Sequence, residues 1–105
     1  MKGLAALAAL IALAACDPQE VAYKAVRRAA EQVILPVVAR DLAGGPAQAA
    51  TTCVADAASA AELQSLARDL GVEAGTRTEA TIRSIAARPA AVSCLAASGL
   101  PPLTV

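Results

Sequence analysis

Apolar and polar positions fall into two regimes along the chain. Residues 3–15, "GLAALAALIALAA", hold no polar side chain, whereas after Asp17 apolar residues alternate with charged ones at helical spacing. In the second regime Ala22, Val26, Ala29 and Val33 form one stripe, with Lys24, Arg27, Arg28 and Glu31 on other faces. Asp17 and Pro18 suit the N-cap and first position of this helix. Glu20 with Lys24, and Arg27 with Glu31, stand four apart, so each pair adds a few tenths of a kcal/mol. Pro36 predicts an end or a kink near Leu35, since it lacks an N–H and disfavours helix just before it. Gly44-Gly45-Pro46 is a break, and Pro46 opens a second helix through Cys53 and Val54.

Further on, Ser59-Ala60-Ala61-Glu62 and Thr76-Arg77-Thr78-Glu79 both have the capping-box spacing. The first starts a helix with Leu63, Leu66, Ala67 and Leu70 on its apolar face, stopped by Gly71. The second starts one with Ile82, Ile85 and Ala86 on one face, ending before Pro89. Pro89 opens a last short helix to Ser98, with Gly99 at its end, and Ala91, Cys94 and Leu95 share its inner face. The tail "LPPLTV" reads as irregular. "TTCVA", residues 51–55, is the one segment with the look of a short strand.

Composition sharpens this picture. The chain has 105 residues, enough for one small domain, and is 57% hydrophobic but only 1% aromatic. Alanine supplies much of that apolar content, which favours helix yet buries little area, so the core must be thin. Formal net charge is zero, so no field points to nucleic acid or another charged partner. Histidine is absent, which removes the commonest general base and metal ligand together.

The N-terminal regime has the layout of a secretion signal. Lys2 is the positive n-region, residues 4–13 the apolar h-region, and Ala14 and Ala15 the small residues before a cleavage point. At ~1.5 Å per residue the run is too short to cross ~30 Å of hydrocarbon comfortably. A cytosolic core helix would show a polar face, and an uncleaved anchor would be longer. Leu13-Ala14-Ala15-Cys16 resembles the lipobox of bacterial lipoprotein precursors. That resemblance implies a lipid on the Cys16 thiol, cleavage just before it, and acylation of the new amino group. It also implies a domain tethered by acyl chains in the periplasm, with Asp17 favouring the inner membrane in some bacteria. One acyl chain holds marginally and two or more hold stably.

Setting Cys16 aside leaves Cys53 and Cys94, an even number in an oxidising compartment. A disulfide between them closes a loop of ~40 residues, worth ~4 kcal/mol on the chain-entropy model; two buried free thiols are the alternative. The long spacing is unlike a redox C-x-x-C, and two thiols without histidine are poor metal ligands. The chain as a whole resembles, through this cysteine layout and Arg88-Pro89 in "RPAAVSCLA", short alphaproteobacterial lipoproteins with a paired cysteine. Some of those carry the name of a respiratory enzyme such as succinate dehydrogenase. This sequence offers no Gly-x-Gly-x-x-Gly, histidine or cysteine cluster for a flavin, haem or iron–sulfur group.

A second resemblance, over residues 66–82, is to the bacterial helix-turn-helix. Ala67 and Gly71 are four apart, with Leu66, Leu70 and Val72 around the turn. Arg77 stands where that family has an apolar residue, and the chain lacks the positive balance that phosphate contacts need. Two capped helices joined by a glycine turn explain the same residues. Ser59, Ser65, Ser84, Ser93 and Ser98 have no histidine partner, and after Cys16 a Ser–Lys pair has Lys24 alone to draw on. Asp56, Glu62 and Asp69 read as caps and solvated faces. Arg27-Arg28 suits either anionic headgroups or a solvated face, and Tyr23, the sole aromatic, either a membrane interface or a cap on the core.

These readings predict an all-α protein, a small disulfide-linked bundle of four to five short helices after a cleaved signal peptide. Residues 1–15 are the signal peptide, 16–43 a lipid-anchored helix kinked near Pro36, 44–99 the bundle and 100–105 the tail. No catalytic, cofactor or metal residue and no nucleic-acid partner are expected. The expected role is a non-enzymatic envelope lipoprotein, membrane-bound through Cys16 and serving as an accessory or interaction subunit with an envelope protein. The alternatives are a periplasmic module for a lipid or small apolar ligand and, remotely, a cytosolic DNA-binding protein.

Overall fold

The computed structural model describes residues 18–71 and 74–103. Their regular structure is five helices, with no strand among them: α1 (Pro18–Val38), α2 (Gly45–Ala57), α3 (Ala60–Ala67), α4 (Thr76–Ala86) and α5 (Pro89–Ala97). Helix α1 packs against α2 and α3, and α2 in turn packs against α5 and α4. The all-α bundle expected from the sequence is thus the fold. Cys16 and the whole N-terminal regime lie outside the described residues.

The stripe of α1 begins later than its periodicity suggests. Ala30, Val33, Ile34, Val37 and Val38 are buried and Val26 is partly so, but Ala22 is exposed. The first turns of α1 have little to pack on, so helical spacing there does not translate into burial. Nor does the helix end near Leu35: Pro36 lies inside it on the exposed side, and α1 runs on to Val38. A proline forfeits its own N–H bond. Burial of Val37 and Val38, and the bonds from the Ala39 and Leu42 N–H groups to the Leu35 and Val38 carbonyls, carry the chain past it.

Helix α2 follows Gly44, whose φ of +68° suits glycine, and has Pro46 in its first turn. The segment "TTCVA" is helical here rather than a strand. Thr51 and Thr52 turn their hydroxyls back onto the Ala47 and Gln48 carbonyls, which removes the β-branched residues' polar cost inside a helix. Cys53, Val54 and Ala55 are then buried together.

Helix α3 has the full capping box: the Glu62 N–H donates to Ser59 Oγ at 3.2 Å, and the Ser59 N–H donates to Glu62 Oε1 at 2.8 Å. Its inner face is Leu63 and Leu66. Leu70 does not join them and is 46% exposed. The Asp69 and Leu70 N–H groups bond to carbonyls only three residues back, so the chain tightens after Ala67 and turns Leu70 outward.

The second predicted capping box does not form. The N-cap of α4 is Gly75, one residue earlier than Thr76, and no side chain caps it. With the register moved by one, Thr78 instead of Glu79 occupies the third helical position, and both are drawn into tertiary bonds described below. Ile82, Ile85 and Ala86 form the buried face as expected. Helix α5 starts at Pro89, buries Ala91 and Leu95, and is followed by Gly99 at φ +74°. Residues 101–103 carry no regular structure, although Leu100 and Leu103 rest against the core.

The core is one cluster built on six large aliphatics, Ile34, Leu63, Leu66, Ile82, Ile85 and Leu95, with buried alanines such as Ala30, Ala47, Ala50 and Ala55 between them. The sole aromatic, Tyr23, is 43% exposed and adds little to it. Burial of this size gives a small margin over chain entropy. Covalent and ionic ties between helices therefore matter more than in a larger domain.

Candidate functional site

Four cross-links tie the helices together, and they account for most of the chemistry-bearing side chains. The first is the disulfide: Cys53 on α2, 2% exposed, bonds to the partly buried Cys94 on α5, with the Cα atoms 5.5 Å apart. The even pair read from the sequence is a bond, and free thiols are not what the structure has.

The second is Arg88, between α4 and α5. Its guanidinium meets the carboxylate of Glu62 with two near-parallel hydrogen bonds, 2.7 Å to Oε1 and 2.6 Å to Oε2. It also donates to the Ala57 carbonyl at 3.0 Å. Glu62 thus serves its own capping box and the Arg88 fork at once. The Arg88 hydrogen bonds, and after them the Ser59 N–H, hold its carboxyl down at about 2 from an ordinary 4.5. The sequence showed Glu62 as a cap and Arg88 as the residue before a proline. No local signal joins two side chains 26 positions apart.

The third joins α1 to α2: Arg27 donates to Glu31 at 2.9 Å on its own helix and reaches Asp56 on α2. Burial opposes the charged form of Arg27, yet hydrogen bonds to the two carboxylates raise its pKa further above the usual range. The fourth lies at the other end of α1, where Arg40 meets Glu79 of α4. Beside it the half-buried Asp69 accepts a 2.7 Å hydrogen bond from the buried Thr78 hydroxyl, pinning the turn before α4 to that helix. Asp56, Glu62 and Asp69, weighed from the sequence as carboxylates, are each held by a structural partner.

The other residues singled out do not converge. Ser59 is a cap, Ser98 donates to the Cys94 carbonyl, and Ser65, Ser84 and Ser93 are exposed on three different helices. Lys24 faces solvent and approaches Glu20 at 3.8 Å, as its spacing suggested. Among the described residues no three histidine, cysteine or acidic side chains gather where a metal ion could bind. No described helix is long and apolar enough to cross a membrane.

Two grooves flank α1. One, of about 350 Å³, is lined by Arg28, Glu31, Gln32, Leu35 and, from α2, Gln48, Thr51 and Thr52. The other, of about 450 Å³, lies between α1 and the turn after α3, with Gln32, Val33, Pro36, Arg40 and Asp69 on its walls. The residues lining the first are mostly polar in type, but their aliphatic parts make up most of its wall, and the second mixes apolar groups with charge. Helices α3 and α4, which carry the helix-turn-helix resemblance, are built into the bundle by α1 and α2 respectively. No protein-family model, curated protein or solved structure matches this chain.

Proposed function

We propose that the protein is a small bacterial envelope lipoprotein, held by acyl chains on Cys16 with its helical domain in the periplasm, and acting as a non-enzymatic accessory or interaction subunit. The observation that carries this reading is the Leu13-Ala14-Ala15-Cys16 motif, placed two residues before Pro18, where the first described helix begins. The Cys53–Cys94 bond agrees with an exported chain, since disulfides persist in oxidising compartments. The carboxylates and serines singled out above act as ties and caps or stand apart on the surface, which favours a scaffold over an enzyme.

Intact mass of the protein from the membrane fraction, with thiol alkylation before and after reduction, tests the reading. The expected mass is the chain from Cys16 plus acyl groups, with two thiols appearing only on reduction. A mass for the unmodified chain beginning at Met1 or Lys2 would overturn it. Mild-detergent affinity purification then tests the interaction role, where a stoichiometric envelope protein is expected and repeated recovery of the protein alone counts against it.

A further inference from the structure

The structure separates the Arg27-Arg28 dipeptide into two different roles. Arg27 turns to Glu31 and Asp56, while Arg28 is exposed and makes no ion pair or hydrogen bond among the described residues. Arg28 instead joins Val21, Lys24 and Ala25 in one shallow surface strip, at the i, i+3, i+4, i+7 spacing of a single helix face. This strip points away from the core: Val21 is 64% exposed and the Lys24 side chain 69%. It carries two cations beside two apolar side chains; Glu20 approaches Lys24 at 3.8 Å, and Glu31 shares a groove wall with Arg28 without pairing to it.

We propose that this face, Val21-Lys24-Ala25-Arg28, lies against an anionic lipid bilayer and fixes the orientation of the domain on the membrane. The proposal rests on lipidation of Cys16. Val21 follows Cys16 by five residue steps, which even fully extended span at most about 17 Å. The Val21 end of the strip therefore stays within about two Debye lengths of the headgroups at physiological salt. A helix lying flat on the surface brings Arg28, about 10 Å further along it, to the same depth. The anchor supplies the affinity, so the face needs only enough attraction to choose one orientation among many. Each cation at an anionic surface favours the face-down orientation by about fivefold. Lys24 and Arg28 can lay their aliphatic stems along the headgroups beside Val21 and Ala25. A protein partner would leave these same residues indifferent to lipid charge, which separates the two cases.

Lys24 is the only lysine after Lys2, so it reports on the face directly. The protein purified from membranes, its Cys16 mass determined first, is reconstituted into vesicles of phosphatidylcholine alone or mixed with phosphatidylglycerol. A water-soluble amine acylating reagent is added, and modification of the Lys24 peptide is followed by mass spectrometry. Acylation is expected to slow about fivefold or more on the anionic vesicles, to recover at high salt, and to recover in part in Arg28→Gln. A lipidated Cys16 with equal Lys24 reactivity on both vesicles would overturn the orientation and leave the anchor standing. A mass without acyl chains would overturn the lipoprotein reading and the orientation with it.

Discussion

Arg88 grips both carboxylate oxygens of Glu62, 26 residues away, while Glu62 closes the capping box that starts α3. One carboxylate thus couples the start of α3 to the junction between α4 and α5. The bidentate geometry makes this the strongest of the ionic ties.

Its pH dependence follows. Glu62 has a folded-state pKa of about 2 against 4.5 in an unfolded chain, so it contributes its full stability above 4.5 and loses it as pH falls through about 2. Because a quarter of the side chain remains exposed, the contribution is on the order of 1–2 kcal/mol. Urea midpoints at pH 7 and at pH 2 should therefore differ more in the wild type than in Glu62→Gln, which lacks this titration. Equal acid sensitivity in both would show that the pair contributes no pH-dependent stability.

The disulfide is expected to contribute more than any ionic tie. Its loop, with a sequence separation of 41, corresponds to about 4 kcal/mol on the chain-entropy model. Reduction, or a Cys53→Ala/Cys94→Ala double variant, should lower the urea midpoint by a large part of its range. Helix α5 should be the first to lose amide protection, because Ala91 and Leu95 are the only residues it buries. Unchanged protection of α5 after reduction would mean that the thin core holds it unaided.

Much of this fold was legible because helices are local. The breaks at Gly44 and Pro89, the face of Ile82, Ile85 and Ala86, and the Ser59 cap each depend on residues within one or two turns. The misplaced features depend on what lies across from them. Ala22 has the right phase but little to bury against, and Leu70 is turned out by a tightened end; of the end or kink expected at Pro36 the end is excluded, because Val37 and Val38 beyond it are enclosed. The same division holds at the candidate site. The cysteine pair was legible from parity, whereas the Arg88–Glu62 and Arg27–Asp56 ties required the fold; Cys16 lies outside the described residues.

Truncations in the core should separate periodic positions from buried ones. Ile34→Ala, at a fully buried site on α1, should cost about 2–5 kcal/mol. Ala22→Ser and Leu70→Ser, at positions with apolar phase but real exposure, should each stay within about 0.5 kcal/mol. Thermal denaturation of the three variants checks this, and a loss at Leu70 comparable to that at Ile34 would contradict the outward turn after Ala67.

The two capping-box motifs give the sharpest contrast between sequence and structure, since they are alike on paper. Ser59 accepts the Glu62 N–H, so Ser59→Ala removes a bond at an N-cap and should cost about 1 kcal/mol. Thr76 stands at the first helical position after Gly75, where its hydroxyl caps nothing, so Thr76→Ala should change stability by no more than about 0.5 kcal/mol. Thr78→Val keeps the shape of its side chain but leaves the half-buried Asp69 without its hydroxyl partner, and should cost about 1 kcal/mol or more. Urea denaturation of the three variants under one buffer ranks them. If Thr76→Ala proves as damaging as Ser59→Ala, α4 begins after Thr76 and not at it, and Glu79 serves its own helix in place of Arg40.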